Sequence, residues 1–154
     1  MKFQCLRFLL LVGLVASSVG VSQARNGQPL SAYGVVPEAI ERVEILYVPE
    51  RILTRAALTP DMLERQYHYK IEIRNFSQSL QRPKFLSAFR ETSVSPGSPH
   101  DLRTAVLLYG HGDKRLLSLY FDRSGENGAV NKDFISTTDS IFRWAKSIMR
   151  GFAE

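Results

Sequence analysis

The sequence predicts an α+β fold: an antiparallel sheet of about five strands, in the order β-α-β-α-β-β-β-α, with helices packed on one face. Three observations predict it. Apolar and polar residues alternate through "IERVEILYVP" (40–49) and "YHYKIEIRN" (67–75), the period-two signature of strands. Three further apolar segments, "LRTAVLLYG" (102–110), "KRLLSLYFD" (114–122) and "GAVNKDFIS" (128–136), follow one another across short, turn-rich spacers and read as a meander. The last segment, "TTDSIFRWAKSIMRGFAE", changes to a helical period.

The chain opens with a leader. Lys2 and Arg7 precede the apolar run "FLLLVGLVASSVGV", and "SQA" ends on a small residue. A basic region, an apolar stretch too short to span a bilayer and a small-x-small site define a secretory signal peptide over residues 1–24, cleaved near Ala24. About 130 residues remain, enough for one domain around one core. Residues 25–37, "RNGQPLSAYGVVP", carry two Gly and two Pro without periodicity and read as a flexible leader, so the globular domain is expected over 38–154.

In 40–49, Val43, Ile45 and Tyr47 point one way and Glu44 and Leu46 the other, and Pro49 ends the pairing. "LTPDMLERQ" (58–66) starts a short helix, with Thr59 as N-cap, Pro60 in the first position and Asp61 in the first turn. In 67–75, Tyr67, Tyr69, Ile71 and Ile73 share one face, leaving His68, Lys70, Glu72 and Arg74 on a wet one. "LQRPKFLSAFRET" (80–92) is helical, with Phe85, Leu86 and Phe89 on one side. "SVSPGSPH" (93–100) reads as a loop. In the terminal helix, Ile141, Ala145, Ile148, Met149 and Phe152 form the apolar stripe, with Thr137 or Thr138 as N-cap and Asp139 near the positive end of the helix dipole.

Composition narrows the function classes. The leader's Lys2 and Arg7 account for two units of the formal net charge of +5, and no block of like charge stands out, so nucleic acid is not an expected partner. The only cysteine, Cys5, leaves with the leader. The exported chain then has no disulfide, thiol nucleophile or thiolate ligand, which fits a bacterial periplasmic or secreted protein held together by an ordinary core.

Four clusters carry candidate chemistry. "YGHGDK" offers His111 with Asp113, a weak acid–base pair, but a four-residue "GHGD" spacer between strands reads first as a hairpin connection. "PHDLR" sets His100 beside Asp101. Adjacent residues diverge on an extended chain, and Asp101 with Arg103 reads better as a strand-entry ion pair. "DRSGENG" places Asp122, Ser124, Glu126 and Asp133 at positions 1, 3, 5 and 12 of a calcium-loop register. Gly128 comes one position late, Asp133 is shorter than the usual glutamate, and Asn127-Gly128 is a turn pair. His68, His100 and His111 are too dispersed for a local zinc motif. Neither a G-x-S-x-G elbow nor a dinucleotide loop occurs, so no cofactor is expected.

The remaining signal is surface. Tyr33, Tyr47, Tyr67, Tyr69, Tyr109 and Tyr120 lie mostly on strands, several near Arg or Lys, a composition enriched at protein interfaces. Tyr67, Tyr69, Arg74, Tyr109 and Tyr120 are the expected binding residues. The leading expectation is a non-enzymatic exported domain that binds another exported or envelope protein, in the manner of an inhibitor or immunity protein. The alternatives are a small periplasmic hydrolase or metal-dependent enzyme using His111 and Asp113, and a protein that lies on a membrane surface through its basic C-terminal helix.

Overall fold

A computed structural model describes residues 27–150. The segment expected to be a signal peptide, with Cys5, and Phe152 of the expected terminal stripe fall outside the described residues.

Eight strands form one antiparallel sheet: β1 (Gln28–Pro29), β2 (Arg42–Tyr47), β3 (Tyr69–Ile73), β4 (Ser93–Pro96), β5 (Leu102–Tyr109), β6 (Arg115–Asp122), β7 (Asn127–Val130) and β8 (Asp133–Thr137). Their spatial order is β1-β4-β8-β7-β6-β5-β2-β3. Three α-helices join them: α1 (Pro60–Gln66), α2 (Arg82–Glu91) and α3 (Ser140–Met149). The class is α+β, but the five-strand sheet with helices on one face is corrected on both counts.

The additional strands come from segments whose composition disguises them. Gln28 and Pro29 pair with Val94 and Ser93, so residues that read as a leader and a loop close one edge of the sheet. Leu30, next in the chain, is wholly buried. β4 ends at Pro96, which supplies no amide donor to a ladder, and Gly97 follows where a Cβ would meet the Ile135 carbonyl carbon at 2.3 Å. "GAVNKDFIS" is two strands instead of one. Val130 pairs with Asp133, Asn131 turns at φ 55°, and its side chain accepts from the Ser118 amide. Asn tolerates that left-handed backbone, which makes the two-residue reversal possible.

Helices cover both faces. On one, α2 and α3 bury Phe85, Phe89, Ile141, Trp144 and Ala145 against Val43, Ile45, Val106, Leu108, Leu117 and Leu119. Phe85 meets Trp144 edge-on at 4.8 Å between ring centroids. On the other, α1 and the segment before it bury Leu58 and Leu63 against Leu46, Ala105, Leu107 and Tyr120. Central strand β5 is therefore buried along all eight residues, as a strand covered on both faces must be. α1 begins where Thr59 caps it, accepting from the Met62 amide at 3.3 Å.

The two turns around β6 differ. β5 and β6 are joined through Gly110–Lys114, with Gly112 and Asp113 at positive φ. Between β6 and β7 the turn is made at Gly125 (φ 80°), not at Asn127-Gly128. Asp122 folds this loop, its Oδ1 accepting from the Ser124 and Gly125 amides at 3.0 and 2.8 Å. Gly128 lies within β7, where a Cβ would stand 1.8 Å from the Tyr120 carbonyl oxygen. Its role is close approach of two strands.

Candidate functional site

Two features stand out, one on each face of the β2–β3 margin. The first is a chain of polar groups on the α1 side. Glu44 lies on β2 beside Leu46, 7% exposed. It receives the Lys70 ammonium at 2.7 Å, the Arg42 guanidinium, and the Tyr109 hydroxyl at 3.1 Å. Arg42 stacks over the Tyr109 ring at 3.8 Å and donates through Nε to Asp113 at 3.0 Å. The Tyr109 hydroxyl accepts from Arg115 at 2.6 Å, Arg115 grips Glu64 of α1 at 2.8 Å, and the Tyr120 hydroxyl donates to the same carboxylate.

The electrostatics follow from these partners. Burial alone would raise the Glu44 carboxyl, but its bonds to Lys70, Tyr109 and Arg42 hold it below the ordinary value. Burial works against the Arg115 charge, yet Glu64 and Tyr109 push its pKa upward. Burial and the bond to Glu64 raise the Tyr120 phenol. Each charged group of this network has a partner, and the raised Tyr120 phenol keeps its proton. This arrangement ties α1 to the sheet and offers no free base or nucleophile.

The second feature is the outer edge. β3 is the last strand in the order and pairs only with β2 among the described residues. Tyr69, Ile71 and Ile73 face the α3 side, and Lys70 and Glu72 the other. Tyr67 and Tyr69 are 40% and 48% exposed. The Tyr69 ring stacks on Tyr47, with centroids 6.4 Å apart. Between these rings, Ile45, Ile71 and Met149 of α3 lies a groove of about 390 Å³, with Lys70 and Glu72 at its rim. A shallower hollow of about 240 Å³ continues it past Tyr47 and Met149 to Lys146 and Arg150. Among the described residues, α3 therefore leaves a groove beside the outer edge of β3.

The structure separates the sequence-derived binding residues. Tyr67, Tyr69 and Arg74 lie at the edge, and Arg74 bonds Glu72 at 2.7 Å. Tyr109 and Tyr120 are interior, on central strands, with their hydroxyls committed to carboxylates.

His111 and Asp113 share one turn, but Asp113 is held by Arg42, and the almost fully exposed His111 lies 3.5 Å from Glu41. His100 and Asp101 precede β5 and those two follow it. Eight extended residues put about 26 Å between the pairs. Asp101 instead accepts from the Leu58 amide and pairs with Arg103, whose guanidinium also reaches the Ile52 carbonyl and Thr54. The pair clamps the loop between β2 and α1.

Of the calcium-register residues, Asp122 spends both carboxylate oxygens on its own loop, Oδ2 accepting from the Asn127 side-chain amide at 3.0 Å. Asp133 lies across the sheet at the start of β8. Among the described residues, no three His, Cys, Asp or Glu side chains gather as metal ligands. In α3, Trp144 packs against Phe76 and Phe85, and Arg143 and Lys146 form ion pairs with Asp139 and Glu50. No described helix is long and apolar enough to cross a membrane.

Sequence reasoning passed over Glu44, Ile71 and Met149. A single acid among Val43, Ile45 and Leu46 signals a buried charge with dedicated partners. Nothing local marks Ile71 and Met149 as groove residues, because that role depends on where α3 lies over the sheet. Compared with models of protein families, with curated proteins and with solved structures, this chain has no match.

Proposed function

We propose that this protein is an exported bacterial binding domain without catalytic activity, and that it docks an extended segment of another exported polypeptide along β3. The observation that carries the reading is the unpaired β3 edge, bordered by exposed Tyr67 and Tyr69 and by an apolar groove. An edge strand presents a row of free N–H and C=O groups, and an added strand satisfies them while alternate side chains enter neighbouring pockets. The groove is large enough to accept such a side chain. The leader sequence supports export, and the mutual pairing of the charged groups around Glu44 and Glu64 supports a non-catalytic role.

A photo-crosslinking residue in place of Tyr69 tests the reading in the exported protein, with the same residue in place of Leu80 as control. Leu80 is 91% exposed but lies outside β3, in the turn before α2. Discrete polypeptide adducts at 69 and none at 80 are expected. Equal labelling at both sites, or none at either, overturns the assignment of β3 as the docking edge.

A further inference from the structure

We infer that the polypeptide completing this edge is β3 of a second copy, paired antiparallel about a two-fold axis at Ile71. This deepens the docking role of β3 proposed above and rests on it. The strand reads Tyr69-Lys70-Ile71-Glu72-Ile73. Antiparallel pairing centred on Ile71 sets Lys70 against the partner's Glu72, Tyr69 against the partner's Ile73, and Ile71 against itself. The two-fold axis repeats each contact, so one strand supplies both halves of a self-complementary interface.

Charge selects this register. Paired residues in a continuous sheet share a face, so the neighbouring registers of like facing are centred on Lys70 or on Glu72. The first opposes two lysines. The second opposes two glutamates and sets Lys70 against the partner's Arg74. Like charges directly opposite are unfavourable, whereas opposite charges and aromatic or β-branched pairs are favourable. The Ile71 register alone sets Lys70 against Glu72 twice on one face and apolar pairs on the other, with His68 opposite the partner's Arg74 only beyond the strand ends.

The arrangement also accounts for the groove. With the axis perpendicular to the sheet, α3 of both copies lies on the same side, and the two grooves become neighbours across the joined strands. Tyr69, Ile71 and Ile73 then gain apolar cover that a single copy leaves incomplete. Lys70 keeps Glu44 within reach on the same face, so the new pairs extend the interior charge chain across the interface.

Charge exchange tests register and partner together, by sedimentation of the chain from Arg25 onward. Wild type is expected to be dimeric. Lys70→Glu and Glu72→Lys each place like charges in both cross-strand pairs, raising the dimer dissociation constant by about tenfold or more. An equimolar mixture of the two restores opposite charges at both pairs and is expected to form a heterodimer.

Lys70 also pairs with buried Glu44, so an independent cysteine series guards against misfolding. Ile71→Cys should join two copies with a short bis-maleimide, whereas Tyr69→Cys should not, because its equivalents lie about 14 Å apart in this register. A wild-type chain that remains monomeric, with Ile71→Cys unlinked, overturns the second-copy inference. If Tyr69 then still crosslinks a different polypeptide, the docking role of β3 survives. A dimer indifferent to all four variants places that interface elsewhere and likewise overturns the second-copy inference, leaving the docking role of β3 to the Tyr69 crosslink.

Discussion

Glu44→Gln probes the interior polar chain most directly. The substitution keeps the size of the side chain and removes its charge, while Arg42, Lys70 and the Tyr109 hydroxyl stay in position. Breaking a buried ion pair from one side costs roughly 3–5 kcal/mol. Two features of this site reduce that figure. The Lys70 side chain is 37% exposed and can turn to water, and Arg42 retains Asp113 as a second carboxylate. The amide oxygen of glutamine also still accepts one bond. The expected loss is therefore about 2–3 kcal/mol, read as a fall of about 1–2 M in the urea midpoint with unchanged slope.

The pH dependence gives the test its sign. The Glu44 carboxyl is held below its ordinary value of 4.5 in the folded state, so its contribution is complete above that value and declines as pH falls through the folded pKa. The gap between wild type and Glu44→Gln should be constant from neutral pH to about 5 and narrow below about 4.5. Urea unfolding followed by circular dichroism, repeated at pH 7, 5, 4 and 3.5, measures the gap. A difference under about 0.5 kcal/mol at pH 7, within the range of an ordinary surface change, refutes the view that Glu44 is the hub. A gap that does not close in acid refutes the electrostatic cause.

Other substitutions separate structural from chemical roles. Gly128→Ala forces a methyl group into the Tyr120 carbonyl and can be relieved only by parting β6 from β7, so a loss of about 3 kcal/mol or more is expected in thermal unfolding. Asp122→Ala unties the β6–β7 loop and should cost about 1–2 kcal/mol, with rising amide exchange confined to residues 123–127. Millimolar calcium should leave the wild-type melting temperature unchanged, because that carboxylate is already engaged by its loop; a rise would reopen the metal reading. His111→Ala should alter stability by no more than about 0.5 kcal/mol, since the side chain is almost fully exposed. A larger loss would show that the turn depends on the imidazole.

Much of the fold is legible because local rules act locally. Alternation identifies β2 and β3, and Thr59-Pro60-Asp61 identifies the start of α1. Asp101 and Arg103 are readable as an ion pair because residues two apart on a strand share a face. β1 and β4 are hidden because Pro, Gly and Ser dominate their segments, and only pairing with each other and with β8 makes them strands. The hairpin inside "GAVNKDFIS" hides in one residue, Asn131, whose left-handed conformation reverses the chain. The second helical layer left a trace in "LRTAVLLY", an uninterrupted buried run that implies cover on both faces.

The tyrosines mark the boundary between the two kinds of information. By itself the sequence determines that six tyrosines sit mostly on strand-like segments near basic residues, and that Tyr67 and Tyr69 alternate with His68 and Lys70. Strand order decides the rest. Tyr109 and Tyr120 fall on central β5 and β6, where α1 covers them and carboxylates take their hydroxyls, while Tyr67 and Tyr69 fall at the rim, where no further strand follows among the described residues. Which strand ends the sheet depends on contacts between residues far apart in the chain, and no local pattern carries that information.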